Sequence, residues 1–185
     1  CPWMRLELLG FIIYTSMTRE QFLKDINPWG NHRTLLWHAL EATKELKLPV
    51  LELGSGPSST PYLRQYCKDE GIKFDTYETD RKWAVTMNSK WVLSWDAETF
   101  WSDKYSVVLL DCAPGHYRRI ALEKLKNVEI ICIQDSEPIG WNASDYKVRP
   151  LFKNFKYYKD HMPQEKGAPW TSALSNTIDV TTWEV

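Results

Sequence analysis

Leu51-Glu52-Leu53-Gly54-Ser55-Gly56-Pro57-Ser58-Ser59 is the stretch on which the reading of the fold turns. A short apolar run ends at two glycines one residue apart, and hydroxyl residues suited to starting a helix follow at once. Gly54 and Gly56 can adopt backbone angles closed to other residues and let a ligand approach the main chain, while the first turn of a helix offers unpaired N–H donors. Strand, glycine loop and helix in that order are what a nucleotide cofactor needs. A tight strand-to-helix turn with no ligand would use the same glycines, so the surrounding chain has to decide.

Working outward, segments of two periodicities alternate from about residue 31, the pattern of βαβ units on a largely parallel sheet. Leu35, Leu36, Ala39, Leu40 and Leu46 predict a helix over 31–46, with Asn31 as its N-cap. Residues 49–53 form the first predicted strand. Ser58 or Thr60 caps the next helix, Pro61 fits its first turn and Gly71 ends it. Further strands are predicted at 74–78, 91–95, 107–110 and 129–134, with helices at 81–88 and around Ile120, Leu122 and Leu125. The tail differs: 155–161 and 172–180 read as two strands joined by a loop, which places a reversed strand at or near the sheet edge. The expected fold is α/β, a single Rossmann-like doubly wound domain over 31–185, preceded by an extension and cap over 1–30.

Two carboxylates narrow the ligand. Glu52, at the end of the first strand, would suit a cationic amine better than a pyrophosphate, because like charges repel. Glu78 ends the second strand, 22 residues beyond Gly56 (78 − 56), where an acidic side chain can accept hydrogen bonds from both ribose hydroxyls.

From about residue 31 to the C-terminus the motifs resemble those of the class I S-adenosylmethionine (SAM) dependent methyltransferases. Leu51 to Ser59 is similar to that family's first motif and Tyr77-Glu78-Thr79-Asp80 to its second. Trp95-Asp96-Ala97-Glu98 resembles the segment that receives the adenine amino group, and Val108 to Asp111 followed by Ala113-Pro114-Gly115 resembles the motif beside the methyl group. The resemblance implies a mostly parallel seven-stranded sheet with a reversed C-terminal strand, and SAM as cofactor. It implies cofactor contacts from Glu52, Gly54, Ser55, Gly56, Ser59, Glu78, Thr79, Asp96 and Ala97.

A methyltransferase must align a nucleophile with a sulfonium methyl, and an oxygen nucleophile must also lose a proton. Asp111 is expected nearest the reacting centre, and His116, whose ordinary pKa of ~6.5 suits neutral pH, is a candidate base. His32 and His161 are further candidates, and Arg118 and Arg119 could hold an anionic substrate. Metal-dependent members of the family place carboxylates where Asp111 and Asp135 stand. Ser136 follows Asp135 here, and serine is a poor Mg²⁺ ligand, so no metal is expected.

The remaining composition sets bounds. A chain of 185 residues can bury roughly 70% of its unfolded surface, enough to house an enzyme. Cys1, Cys67, Cys112 and Cys132 show no paired spacing, so neither zinc nor a disulfide framework is indicated and a reducing cytoplasm is expected. The apolar run from Leu8 to Tyr14 is too short to span a bilayer and lacks a signal-peptide cleavage pattern. With net charge −1 and 10 Trp, the chain favours a small-molecule or peptide side-chain acceptor, and nucleic acid is not indicated. The tetrapeptide Asn/Asp-Pro-Pro-aromatic, associated with amino methylation of bases, is also absent. A nicotinamide-dependent oxidoreductase, an aminopropyltransferase using decarboxylated SAM and a methyltransferase-fold binding protein without turnover remain as alternatives.

Overall fold

The computed structural model describes residues 16–24, 30–97, 100–125, 127–138, 140, 146–163, 165 and 167–185. The strands are β1 (Val50–Leu53), β2 (Phe74–Glu78), β3 (Lys90–Trp91), β4 (Tyr105–Leu110), β5 (Val128–Gln134), β6 (Tyr157–His161) and β7 (Thr171–Ser175). They form one sheet in the order β3-β2-β1-β4-β5-β7-β6. β1 to β5 are parallel, and β7 runs antiparallel to both β5 and β6. The expected fold class is therefore observed, with the reversed strand one place in from the edge. β3 holds two residues instead of the five expected, because the chain turns into a 3₁₀ segment at Trp95–Ala97. The last strand stops at Ser175, where its hydroxyl accepts the Thr177 and Ile178 amides and bends the chain away.

Side-chain alternation along the strands divides the core between the two faces of the sheet. Leu51, Leu53, Val108, Leu110, Ile131 and Ile133 pack on one face with Ala121 and Leu122 of α5 (His116–Lys124), the helix that follows α4 (Arg81–Met87) in the chain. Val50, Val107, Leu109, Ile130 and Cys132 pack on the other, beneath α2 (His32–Thr43) and α3 (Thr60–Asp69). α2 buries His32, Leu35, Leu36, Ala39, Leu40 and Thr43, a stripe of three- and four-residue steps. Phe22, at the end of the short α1 (Arg19–Phe22), is buried against Trp37, Tyr62 and Tyr66 of this second layer. No helix among the described residues is long and apolar enough to cross a membrane.

Asn31 does not cap α2 with its side chain. Its amide nitrogen donates to the Pro169 carbonyl at 2.5 Å and its oxygen lies 3.1 Å from the Thr171 hydroxyl, so it ties the start of α2 to the entry of β7. α3 likewise has no side-chain cap, because Ser59 and Thr60 are engaged underneath the helix.

Candidate active site

The strand order reverses between β1 and β4, and a parallel sheet opens a crevice at the carboxyl ends of its strands at such a point. A cleft of about 520 Å³ lies there, with Ser55, Glu78, Asp80, Trp83 and Asp111 in its wall. A second cavity of about 270 Å³ opens beyond the glycine loop, between residues 56–59 and the end of β5, and Asp111 belongs to both.

Gly54 is required by the protein itself. Its φ is +93°, and a Cβ there would lie 2.4 Å from the Asp111 carbonyl oxygen and 2.7 Å from Cys112 Cα. The loop leaving β1 thus packs directly on the backbone leaving β4. Gly56 meets no such wall: an added Cβ would find only Ser59 Oγ, at 3.9 Å, so the space beside it is free for a ligand.

Glu52 does not face the loop's ligand as expected. Alternation places it on the same side as Val50, under the start of α3, where it is fully buried. Its Oε1 accepts the Ser59 hydroxyl at 2.5 Å, and its Oε2 accepts those of Thr60 and Thr76 at 2.8 and 2.6 Å. Burial pushes this carboxyl up to about 7, against three hydroxyls that favour its ionised form. Its role here is to pin the loop from below, and Ser59 serves the same anchor.

Glu78 lies in the cleft wall. Its Oε1 accepts the Thr79 and Asp80 amides at 2.7 and 3.1 Å, and its Oε2 accepts the Ser55 amide at 3.2 Å, which leaves Oε2 a lone pair for a ligand. Ser55 is held further by Trp83, whose indole donates to its carbonyl at 2.6 Å. The Thr79 hydroxyl reaches Ala113 O at 3.4 Å and is turned to the protein.

Arg118 clamps the ends of β4 and β5 together. It is 5% exposed and donates to the carbonyls of Cys112 and Gln134 and to the carboxylates of Asp111 (2.8 Å) and Asp135. Burial raises the Asp111 carboxyl to about 6, with the Arg118 charge pulling it down and Asp135 and Glu78 pushing it up. Arg118 therefore offsets one of the two carboxylate charges and does not reach for a substrate anion. Arg119 pairs at the surface with Glu123. Among the described residues no group of three or more His, Cys, Asp or Glu side chains is placed to hold a metal ion, and the Arg118 guanidinium binds both Asp111 and Asp135.

His116, Asp96 and His161 stand elsewhere. His116 is on the exposed first turn of α5, its ring 4.4 Å from that of Tyr117, and it lines neither cavity. Asp96 is turned to α5, accepting from Tyr117 Oη at 2.9 Å and lying 3.6 Å from Lys124 Nζ, so its carboxylate is spent on that helix. Ala97 closes the 3₁₀ segment, and its side chain lies outside the described residues. His161 is a half-buried β6 residue lining neither cavity. His32, a weaker candidate in the sequence, lines the second cavity with its ring 1% exposed. Its position on the α2 stripe, three residues before Leu35 and four before Leu36, was the signal that it is buried.

The strand order, the reversed β7 and the cleft at the β1/β4 switch together define the class I SAM-dependent methyltransferase fold. The sequence matches no family model and no curated protein. Solved structures similar to it include a human methyltransferase 10 domain containing protein, at 14% identity and a TM-score of 0.49 over 78% of this chain and 80% of that one. Another is the T. thermophilus 16S rRNA methyltransferase RsmC with AdoMet and guanosine, at 14% identity and a TM-score of 0.45 over 78% of this chain and 41% of that one. A third is the 23S rRNA methyltransferase ErmE, at 14% identity and a TM-score of 0.42 over 80% of this chain and 70% of that one. Similarity at this level is one of fold. It nevertheless corrects the expectation that nucleic acid is not indicated, since the same fold serves rRNA methyltransferases. The net charge of −1 is a whole-chain average that hides local cations, such as Arg64, Lys68 and Lys90 around a single surface cavity.

Proposed function

We propose that the protein transfers a methyl group from SAM, bound in the cleft between β1, β2 and β4. The observation that carries this reading is Glu78, fixed in the cleft wall by the amides of Ser55, Thr79 and Asp80 with a free lone pair for a ribose hydroxyl. The glycine loop lies beside it, with open space at Gly56 for the rest of the cofactor. When bound, SAM supplies an electrophilic methyl on sulfur. The chain's own contribution is to hold the nucleophile in line with it and to accept the proton released. Asp111 is the residue for the second task. It belongs to both cavities, its Oδ2 has no protein partner among the described residues, and a carboxyl near 6 is mostly ionised at neutral pH while remaining basic enough to take a proton.

Thermal unfolding with S-adenosylhomocysteine (SAH) tests the cofactor. Ligand at 100 times its dissociation constant should add about 2.7 kcal/mol of stability. A melting temperature unmoved by millimolar SAM and SAH refutes the reading, and stabilisation by NADH instead points to the oxidoreductase. Acceptor trials with labelled SAM should include RNA.

A further inference from the structure

The second cavity has unfulfilled hydrogen-bonding groups that the protein does not need for itself. His32 is 1% exposed, and neither ring nitrogen makes a hydrogen bond of ordinary geometry, although the Gln134 side chain and the Ser58 backbone stand near enough to act on the ring. Burial pushes its pKa down to about 4, with Arg33 adding to the effect, so at neutral pH the ring is uncharged and presents one donor and one acceptor. Gln134 stands beside it. The Thr171 hydroxyl donates to Gln134 Oε1 at 2.5 Å, which leaves the amide nitrogen as a donor. Asp111 and Asp135 line the same cavity, and Arg118 takes one oxygen of each. Asp111 Oδ2 and Asp135 Oδ1 accept nothing from the protein among the described residues.

The wall thus offers two carboxylate acceptors together with neutral donors. A hydroxyl brings one hydrogen and satisfies one carboxylate; an NH₂ group brings two and satisfies both. A carboxylate or phosphate would meet two like charges of which a single guanidinium offsets only one. Asp111 is shared with the cofactor cleft, so a group bound here lies next to the place from which a methyl would come.

We propose that the part of this cavity lined by His32, Gln134, Asp111 and Asp135 is the acceptor pocket, the part at Gly56 being the cofactor's, and that it takes a planar ring bearing an amino group beside a ring nitrogen, with the amino hydrogens on Asp111 and Asp135 and the ring nitrogen accepting from His32 or Gln134. The proposal rests on the SAM reading above. The nitrogen lone pair forms the new N–C bond as the S–C bond breaks with its electrons going to sulfur, giving SAH. The proton then carried by the methylated nitrogen passes to Asp111 Oδ2.

Proton NMR of the histidine ring signals tests this directly, in SAH-saturated protein titrated with cytosine and, separately, with uracil, which lacks the amino group. The protein has four histidines, and His32→Gln identifies the His32 signals. Cytosine is expected to move the His32 signals while uracil leaves them unmoved. His32→Gln should weaken cytosine roughly 10-fold, about the loss of one hydrogen bond, while leaving SAH affinity within about 2-fold. His32 signals unmoved by cytosine, or moved equally by uracil, overturn the pocket, and both outcomes are read on the wild-type protein once the signals are assigned. Failure of the wild type to bind SAH is a separate result that overturns the cofactor reading, and the cytosine titration without SAH still reads the pocket.

Discussion

Replacing Gly54 by alanine is expected to damage the fold before it damages any ligand contact. The new Cβ would stand 2.4 Å from the Asp111 carbonyl oxygen and 2.5 Å from its carbon, about 1 Å inside ordinary contact distance. Both neighbours are backbone at the end of a central strand, so no side chain can swing aside. The φ of +93° adds a cost of roughly 1–3 kcal/mol for any residue with a Cβ. Overpacking adds about 1–3 kcal/mol more. A loss of roughly 2–6 kcal/mol is therefore expected, read as a lower urea midpoint at unchanged m-value. Gly56→Ala is the internal control. Its Cβ would meet nothing closer than 3.9 Å, so stability should stay within about 0.5 kcal/mol while SAH binding falls. A Gly54→Ala protein as stable as the wild type would refute the close approach of the two loops, and a Gly56→Ala protein that binds SAH normally would refute ligand contact at that glycine.

Three further outcomes are expected. Burial holds the Glu52 carboxyl at about 7 against an ordinary 4.5, so the folded protein keeps a proton there that the unfolded chain has lost; this contribution to stability falls as pH rises from 4.5 to 7 and is flat above. His32, pushed down to about 4, adds the opposite slope between 4 and 6.5, so the readout is the difference between wild type and Glu52→Gln, which should change by up to about 3 kcal/mol across the window; a flat difference curve contradicts the burial argument. Arg118→Met leaves Asp111 and Asp135 without their cation and should cost about 3–5 kcal/mol in denaturant unfolding, whereas an unchanged midpoint would mean that solvent already screens the pair. Glu78→Ala removes the acceptor offered to the ribose and should weaken SAH at least roughly 10-fold in calorimetry, and equal affinity would remove Glu78 from the cofactor site.

The sheet was legible because its signal is local: five apolar runs ending in acidic or glycine-rich loops can hardly pack except as parallel strands under helices. Glu78 was legible for the same reason, since the end of a strand fixes where its side chain emerges. Glu52 was misplaced although its strand was correct. Which side of the sheet a residue faces follows from alternation with Val50 and Leu51, and that alternation turns Glu52 beneath the start of α3 and away from the loop's ligand. Asn31, Asp96 and Arg118 were opaque because their partners are distant in sequence: Pro169 and Thr171 for the first, Tyr117 and Lys124 for the second, Asp135 for the third. A polar side chain at the end of an element looks alike whether it caps its own helix or bridges to another. Only the assembled fold separates the two.

The position of β7 bears on how the chain is made. Residues 171–175 are translated after β6, yet they lie between β5 and β6, so β5 is paired only with β4 and β6 with no strand until they emerge. Until then β5, which runs Val128-Glu129-Ile130-Ile131-Cys132-Ile133-Gln134, carries an open and strongly apolar edge on the nascent chain. Such an edge recruits other strands as readily as its own, so a stalled or truncated product would be prone to aggregate and to attract chaperones. The last strand to be synthesised is thus the one that makes the half-finished sheet safe.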